Sequence, residues 1–95
     1  MHRALLWCIP PSMYYVYFLK SKNTDWFYTG YTSNLKKRLA DHNTGHSSAT
    51  KPYLPFDLIF YEAYRSRSDA KRREKYLKTN QGKRVLKIML IDSLK

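Results

Sequence analysis

Arg38 and His42 are the first residues here whose types and spacing ask for a chemical reading. Thr32 or Ser33 is placed to cap a helix that runs to about Asn43, with Gly45 set to end it. Along that helix Leu35, Arg38, Leu39 and His42 recur at i, i+3, i+4 and i+7, which is one stripe. The two leucines turn the stripe toward a core, so the guanidinium and the imidazole are aimed at the protein rather than at open solvent. A guanidinium is a planar fork of donors that keeps its charge, and an imidazole changes charge near neutral pH. A carboxylate joins them from a second expected helix, whose start over Ser66 to Asp69 has the capping-box pattern. Ala70, Glu74 and Leu77 fall at i, i+4 and i+7, so Glu74 lies on the inward stripe while its basic neighbours point elsewhere. An inward acid can hold a divalent cation, or it can close a salt bridge with Lys78 or Arg73. Plainer readings stand beside these. The Arg38 stem can cover leucines, and His42 can bond a carbonyl at the helix end. His42 and His46 have i, i+4 spacing, but Gly45 intervenes and no third ligand accompanies them, which argues against zinc.

The elements that must position these groups are short. Tyr14 to Lys20 is rich in β-formers, a polar turn covers Ser21 to Asp25, and Trp26 to Tyr31 reads as a second strand. Together they make an antiparallel hairpin. Alternation puts Tyr15, Tyr17 and Leu19 on one face of the first strand, and Trp26, Tyr28 and Gly30 on one face of the second. Gly30 signals a bulge or a close approach by another group. The chain has nine tyrosines, and sheets favour them for packing, so alternation alone does not separate a reactive phenol from a structural one. Thr44 to Pro55 reads as a loop and Phe56 to Tyr64 as a third strand. Gly82 breaks the second helix, and Lys83 to Leu94 reads as a last one with Leu86, Met89 and Leu90 buried. Strand, strand, helix, strand, helix, helix gives an α+β domain: a three-stranded antiparallel sheet flanked by helices.

A chain of 95 residues holds one such domain. Residues 1–12 carry a short apolar stretch and Pro10-Pro11 and read as an N-terminal extension without an A-x-A-like cleavage site; the domain is expected over 13–95. One cysteine, Cys8, leaves no internal disulfide framework. No apolar run approaches the roughly 18 residues of a membrane span, and the expected compartment is the cytoplasm. The net charge is +11, and Arg65 to Lys87 alone holds ten basic residues and two acids, a net +8. Solubility asks for no more than a net charge of about 2–8, so the excess points to a polyanion. Nucleic acid suits it better than an anionic membrane, since the basic stretches lack large apolar residues. The candidate contacts are Lys36, Lys37, Arg65, Arg67, Lys71, Arg72, Arg73, Lys75, Lys78, Lys83 and Arg84.

Four pieces in order carry a resemblance. Tyr15-Val16-Tyr17 and Tyr28-Thr29-Gly30 resemble the two halves of the GIY-YIG nuclease signature, with Tyr17 and Tyr28 eleven positions apart. Thr32, Asn34, Leu35, Arg38 and His42 match T-x-N-L-x-x-R-x-x-x-H, and Ala70 to Lys78 resembles the segment with the family's single essential glutamate. The chain looks most like the small stand-alone bacterial members, related to the nuclease domain of the excision-repair enzymes. The resemblance implies metal-dependent hydrolysis of DNA phosphodiester bonds, in repair or recombination. It implies that Glu74 holds one Mg²⁺ or Mn²⁺, that Arg38 pairs with the scissile phosphate, and that Tyr17 activates or orients the attacking water. Tyr28 would hold the water or phosphate, and His42 would accept a proton. Larger members have an asparagine well after the glutamate; Asn80 follows Glu74 by only six residues, and that role is not carried over. Excision-repair members have lysine just after the glycine, where this chain has Tyr31. DNA is the expected partner, with RNA the other nucleic acid the charge would suit, and a targeting protein would complement so small a domain. Monomer or weak homodimer is expected. The competing readings are a non-catalytic nucleic-acid-binding module and, with least support, an interaction domain using Leu5, Leu6 and Trp7.

Overall fold

The computed structural model describes residues 12–95. The expected extension lies outside them, apart from the exposed Ser12. Three strands, β1 (Tyr14–Ser21), β2 (Phe27–Thr32) and β3 (Phe56–Tyr64), form one antiparallel sheet in the order β2-β1-β3. β1 is central because it is apolar on both faces: Val16, Tyr17, Phe18 and Leu19 are all buried in succession. Strict alternation with a wet face would not allow that run; a sheet covered on both sides does.

The cover comes from three helices, α1 (Leu35–Asn43), α2 (Arg67–Leu77) and α3 (Asn80–Met89). α1 lays Leu35 and Leu39 on the face that holds Tyr17, Leu19 and Phe56. Ala70, Leu77, Leu86 and Leu90 pack against Val16 and Phe18 on the opposite face. Leu77 and Leu86 are wholly buried, and each contributes about 1.5–3 kcal/mol relative to exposure. Expectation and structure agree on the α+β class and on the bounds of β3.

Several boundaries differ from expectation. The cap of α1 is Asn34, neither Thr32 nor Ser33; its side chain accepts from the Lys37 N–H at 3.1 Å. Thr32 instead closes a turn by accepting from the Asn34 N–H at 3.0 Å. Ser66 is the N-cap of α2 without a side-chain bond. β2 begins at Phe27 rather than Trp26. The loop after α1 contains a short 3₁₀ turn at Lys51–Tyr53. The last helix starts at Asn80, not Lys83, because the Thr79 hydroxyl caps it by accepting from the Gly82 N–H at 3.0 Å. Gly82 sits inside the first turn of α3. A Cβ there would lie 2.1 Å from the Tyr76 carbonyl oxygen, so glycine permits the close join of α2 and α3. Met89 is exposed rather than buried, and the inward residues of α3 are Leu86 and, just past its end, Leu90.

Candidate active site

The sheet register builds the site. Tyr17 on β1 is paired with Gly30 on β2. A Cβ on Gly30 would lie 2.4 Å from the Tyr17 hydroxyl and 2.8 Å from the Tyr28 ring. The missing side chain is therefore the space the two phenols occupy, and any larger residue would drive them apart. Their ring centroids are 6.2 Å apart.

α1 brings the third ring. His42 is wholly buried, with its centroid 5.5 Å from Tyr17 and 5.2 Å from Tyr28. Its position is fixed by the helix end: Asn43, the next residue, accepts the Phe56 N–H at 2.9 Å and ties α1 to the start of β3. The His42 Nε2 lies 2.7 Å from the Tyr17 hydroxyl, and its Nδ1 lies 2.8 Å from Thr50 Oγ1. Thr50 is also wholly buried, carried inward by the loop after α1. Sequence reasoning passed over Thr50, since a threonine in a polar loop looks like ordinary loop composition.

One turn before His42 stands the half-buried Arg38 guanidinium, whose charge bears on the Tyr17 and Tyr28 hydroxyls. The neighbouring Tyr17 phenol holds its pKa above the ordinary arginine value against the opposing effect of burial. Burial pushes the Tyr17 phenol up to about 12; Arg38 opposes this, while Tyr28 and the Glu74 carboxylate add to it. Burial, then the Arg38 charge, pushes the His42 imidazole below its usual value, with Asp41 pulling the other way. At neutral pH the pair is thus a neutral phenol against a neutral imidazole.

Glu74 comes from α2, and its charge is felt at Tyr17. Its side chain is one-fifth exposed, and its Oε2 is 3.1 Å from the Lys78 ammonium. Lys78 in turn lies 5.6 Å from the centre of the Tyr28 ring, which joins the end of α2 to β2. Arg73, the other candidate partner of Glu74, is held instead by Glu62 through two bonds, at 2.9 and 3.1 Å. Among the described residues no group of three or more His, Cys, Asp and Glu side chains gathers. A softer metal that wants several nitrogen or sulfur ligands does not fit this donor set. Magnesium does, since it keeps several waters and takes one or two carboxylates together with substrate phosphate.

The basic residues divide by position. Lys36 and Lys37 are exposed on α1, Lys37 pairing with Asp41 at 3.1 Å. Arg65, Arg67, Lys71, Arg72 and Lys75 are exposed along α2 and its approach, with Arg72 2.9 Å from Asp69 and Lys71 over the Tyr31 ring. Lys83 and Arg84 are exposed on α3. A groove of about 490 Å³ opens beside Tyr28, lined also by Trp26, Phe18 and Leu86, by Lys78, Lys83 and Lys87, and by one acid, Asp25. No helix among the described residues is long and apolar enough to cross a membrane.

Similarity to known proteins agrees with this geometry. A UPF0213 protein of Staphylococcus haemolyticus is 40% identical over 77 residues, covering 80% of this chain and 93% of its own length. One from Clostridium perfringens is 36% identical over 84 residues, covering 87% and 89%. The solution NMR structure of a UPF0213 protein from Bacillus halodurans matches with a TM-score of 0.52 at 31% identity, over 81% of this chain and 84% of that one. The family model described as the GIY-YIG catalytic domain matches residues 13–87, from the start of the hairpin through most of α3. With the signature tyrosines and Gly30 meeting across the β1–β2 pair, and the matched span taking in all three strands, this chain belongs to the GIY-YIG family.

Proposed function

We propose that this protein is a metal-dependent endonuclease that hydrolyses DNA phosphodiester bonds. One observation carries the reading: a buried phenol, Tyr17, lies 2.7 Å from the His42 imidazole, with the charges of Arg38 and Glu74 bearing on it. A phenol pushed up to about 12 is no base by itself at neutral pH. It becomes one if it hands its own proton to His42 Nε2 while taking one from the attacking water. Arg38 sits where a guanidinium can pair with the phosphate and offset charge that builds there. Tyr28, on the same side of the β2 edge, orients the phosphate or the water through its hydroxyl.

Glu74 is the residue that would hold Mg²⁺ or Mn²⁺, giving up Lys78 or sharing its second oxygen. A bound divalent ion supplies positive charge at the leaving oxygen and the phosphate. Lys78, Lys83 and Lys87 line the groove next to Tyr28 and give the neighbouring backbone a cationic path. Contacts of this kind recognise backbone and shape rather than a long base sequence. The cytoplasm, and repair or recombination, are where such an activity has its substrate.

The Glu74–Lys78 pair also favours a second reading, a nucleic-acid-binding module whose carboxylate is a structural partner. Incubation with supercoiled plasmid and with nicked or branched DNA, with and without Mg²⁺ or Mn²⁺, separates the two. Metal-dependent nicking that a Glu74→Ala variant lacks is expected. Equal nicking by both proteins would mean a contaminant. Salt-sensitive binding without cleavage would favour the module.

A further inference from the structure

We infer that Thr50 is a positioning residue: by accepting the Nδ1–H of His42 it holds the ring in the tautomer whose bare Nε2 faces the Tyr17 hydroxyl. The inference rests on the proposed nuclease reading and adds to it a residue outside the family signature.

Donors and acceptors decide the tautomer. His42 and Thr50 are wholly buried, so water does not complete the bond between them, and Tyr17 is 1% exposed. No buried side-chain nitrogen or oxygen among the described residues lacks a partner. The neutral Tyr17 hydroxyl has one proton to place. Arg38 beside it can only donate. That leaves His42 Nε2, at 2.7 Å, as the acceptor, so Nε2 carries no proton. A neutral imidazole then has its proton on Nδ1, which faces Thr50 Oγ1 at 2.8 Å. Thr50 can accept it because its own hydroxyl proton has another destination, the Ser47 carbonyl at 3.4 Å. Reversing the chain fails at the other end: with Nε2 protonated, the Tyr17 proton has no acceptor among the described residues, since His42 is the hydroxyl's one hydrogen-bond partner there.

The loop is built to hold Thr50 there. The Thr50 and Lys51 N–H groups both bond the Ser47 carbonyl, at 3.2 and 2.9 Å, and Ser47 is itself buried. The ring is otherwise enclosed by Tyr17 from β1, Tyr28 from β2 and Phe56 from β3. The charges bearing on it are Arg38 and Asp41 on its own helix. When the Tyr17 proton moves to Nε2 and a water proton replaces it on the phenol, the ring becomes a cation. Its Nδ1–H then makes a charge-assisted bond to Thr50, which is stronger than the neutral one and counters the opposing Arg38 charge. Second partners of a functional histidine commonly set its tautomer and orientation in this way.

Nitrogen-15 NMR of the histidine rings in the whole protein at pH 7.5, without metal or DNA, reads the tautomer directly. Wild type and Thr50→Ser are expected to show Nδ1–H on His42, and Thr50→Val a shift toward Nε2–H. In the cleavage assay, Thr50→Val is expected to lose about 10–100-fold in rate, with Thr50→Ser within about threefold of wild type. A wild-type Nε2–H tautomer overturns the inference, and so does a folded Thr50→Val protein that keeps Nδ1–H. If Thr50→Val does not fold, the wild-type spectrum and Thr50→Ser still decide. Nδ1–H without any cleavage would sink the nuclease reading and leave the tautomer assignment standing.

Discussion

The two faces of the sheet are covered by different chemistry. Under α2 and α3 the buried residues are the apolar Val16, Phe18, Ala70, Leu77, Leu86 and Leu90, with the nearly buried Thr29 beside its cross-strand partner Phe18. Under α1 and its loop the wholly or nearly buried set includes Tyr17, His42, Thr50 and Ser47 beside Leu19 and Phe56. No fully buried side-chain nitrogen or oxygen among the described residues lacks a partner, but each bond replaces one to water and adds only about 0.5–1.5 kcal/mol net. The apolar face therefore carries the stability that lets the other face hold a phenol, an imidazole and a guanidinium in one place. The same contrast appears between two glutamates. Glu62 is clamped by Arg73 with two bonds at the end of the apolar side, whereas Glu74 has a single lysine that can leave.

That contrast can be broken from either side. Removing one oxygen with Tyr17→Phe should cost the largest amount, about 10²–10⁴-fold in cleavage rate, with a folded protein by circular dichroism. Leu77→Ala on the opposite face should do the reverse. Denaturant unfolding should show a loss of about 2–5 kcal/mol, while the cleavage rate well below the melting transition stays near wild type. Arg73→Lys should cost about 1 kcal/mol, because a lysine cannot reproduce the two-pronged bond to Glu62. It should leave DNA affinity nearly unchanged, whereas Lys83→Glu should weaken binding and flatten its salt dependence. The smallest effect is the pH dependence of stability. His42 titrates below its usual value when folded, so the unfolded chain takes up the proton first as pH falls. Stability should drop from about pH 6.5 downward, and His42→Gln should be less pH-dependent there. Tyr17 acts at the other end: its pKa rises from 10.0 to about 12 on folding, so stability should fall between those values.

Much of this arrangement was legible before any coordinates. The α1 stripe places Arg38 and His42 inward because helical spacing is a local property, and the structure brings both to Tyr17. Gly30 marked a close approach, and the approaching groups are the two phenols. What local patterns do not contain is loop conformation and choice of ion partner. Thr50 reaches His42 only because the loop folds back under α1. Glu74 takes Lys78 rather than Arg73 because Glu62, on β3, already holds the arginine, a contact eleven residues apart in sequence. α3 starts at Asn80 rather than Lys83 because Gly82, which resembles a break, packs closely against the end of α2, a tertiary fact.

The central proposal is that Glu74 would hold one divalent ion whose charge bears on the Tyr17 site. Titration of the protein with Mn²⁺, followed by NMR, tests it through the paramagnetic broadening that falls steeply with distance. The account predicts that signals of Gly30, Tyr17 and the His42 ring broaden first, and that Glu74→Gln abolishes this selectivity. Broadening centred elsewhere, or the same pattern in Glu74→Gln, would contradict it.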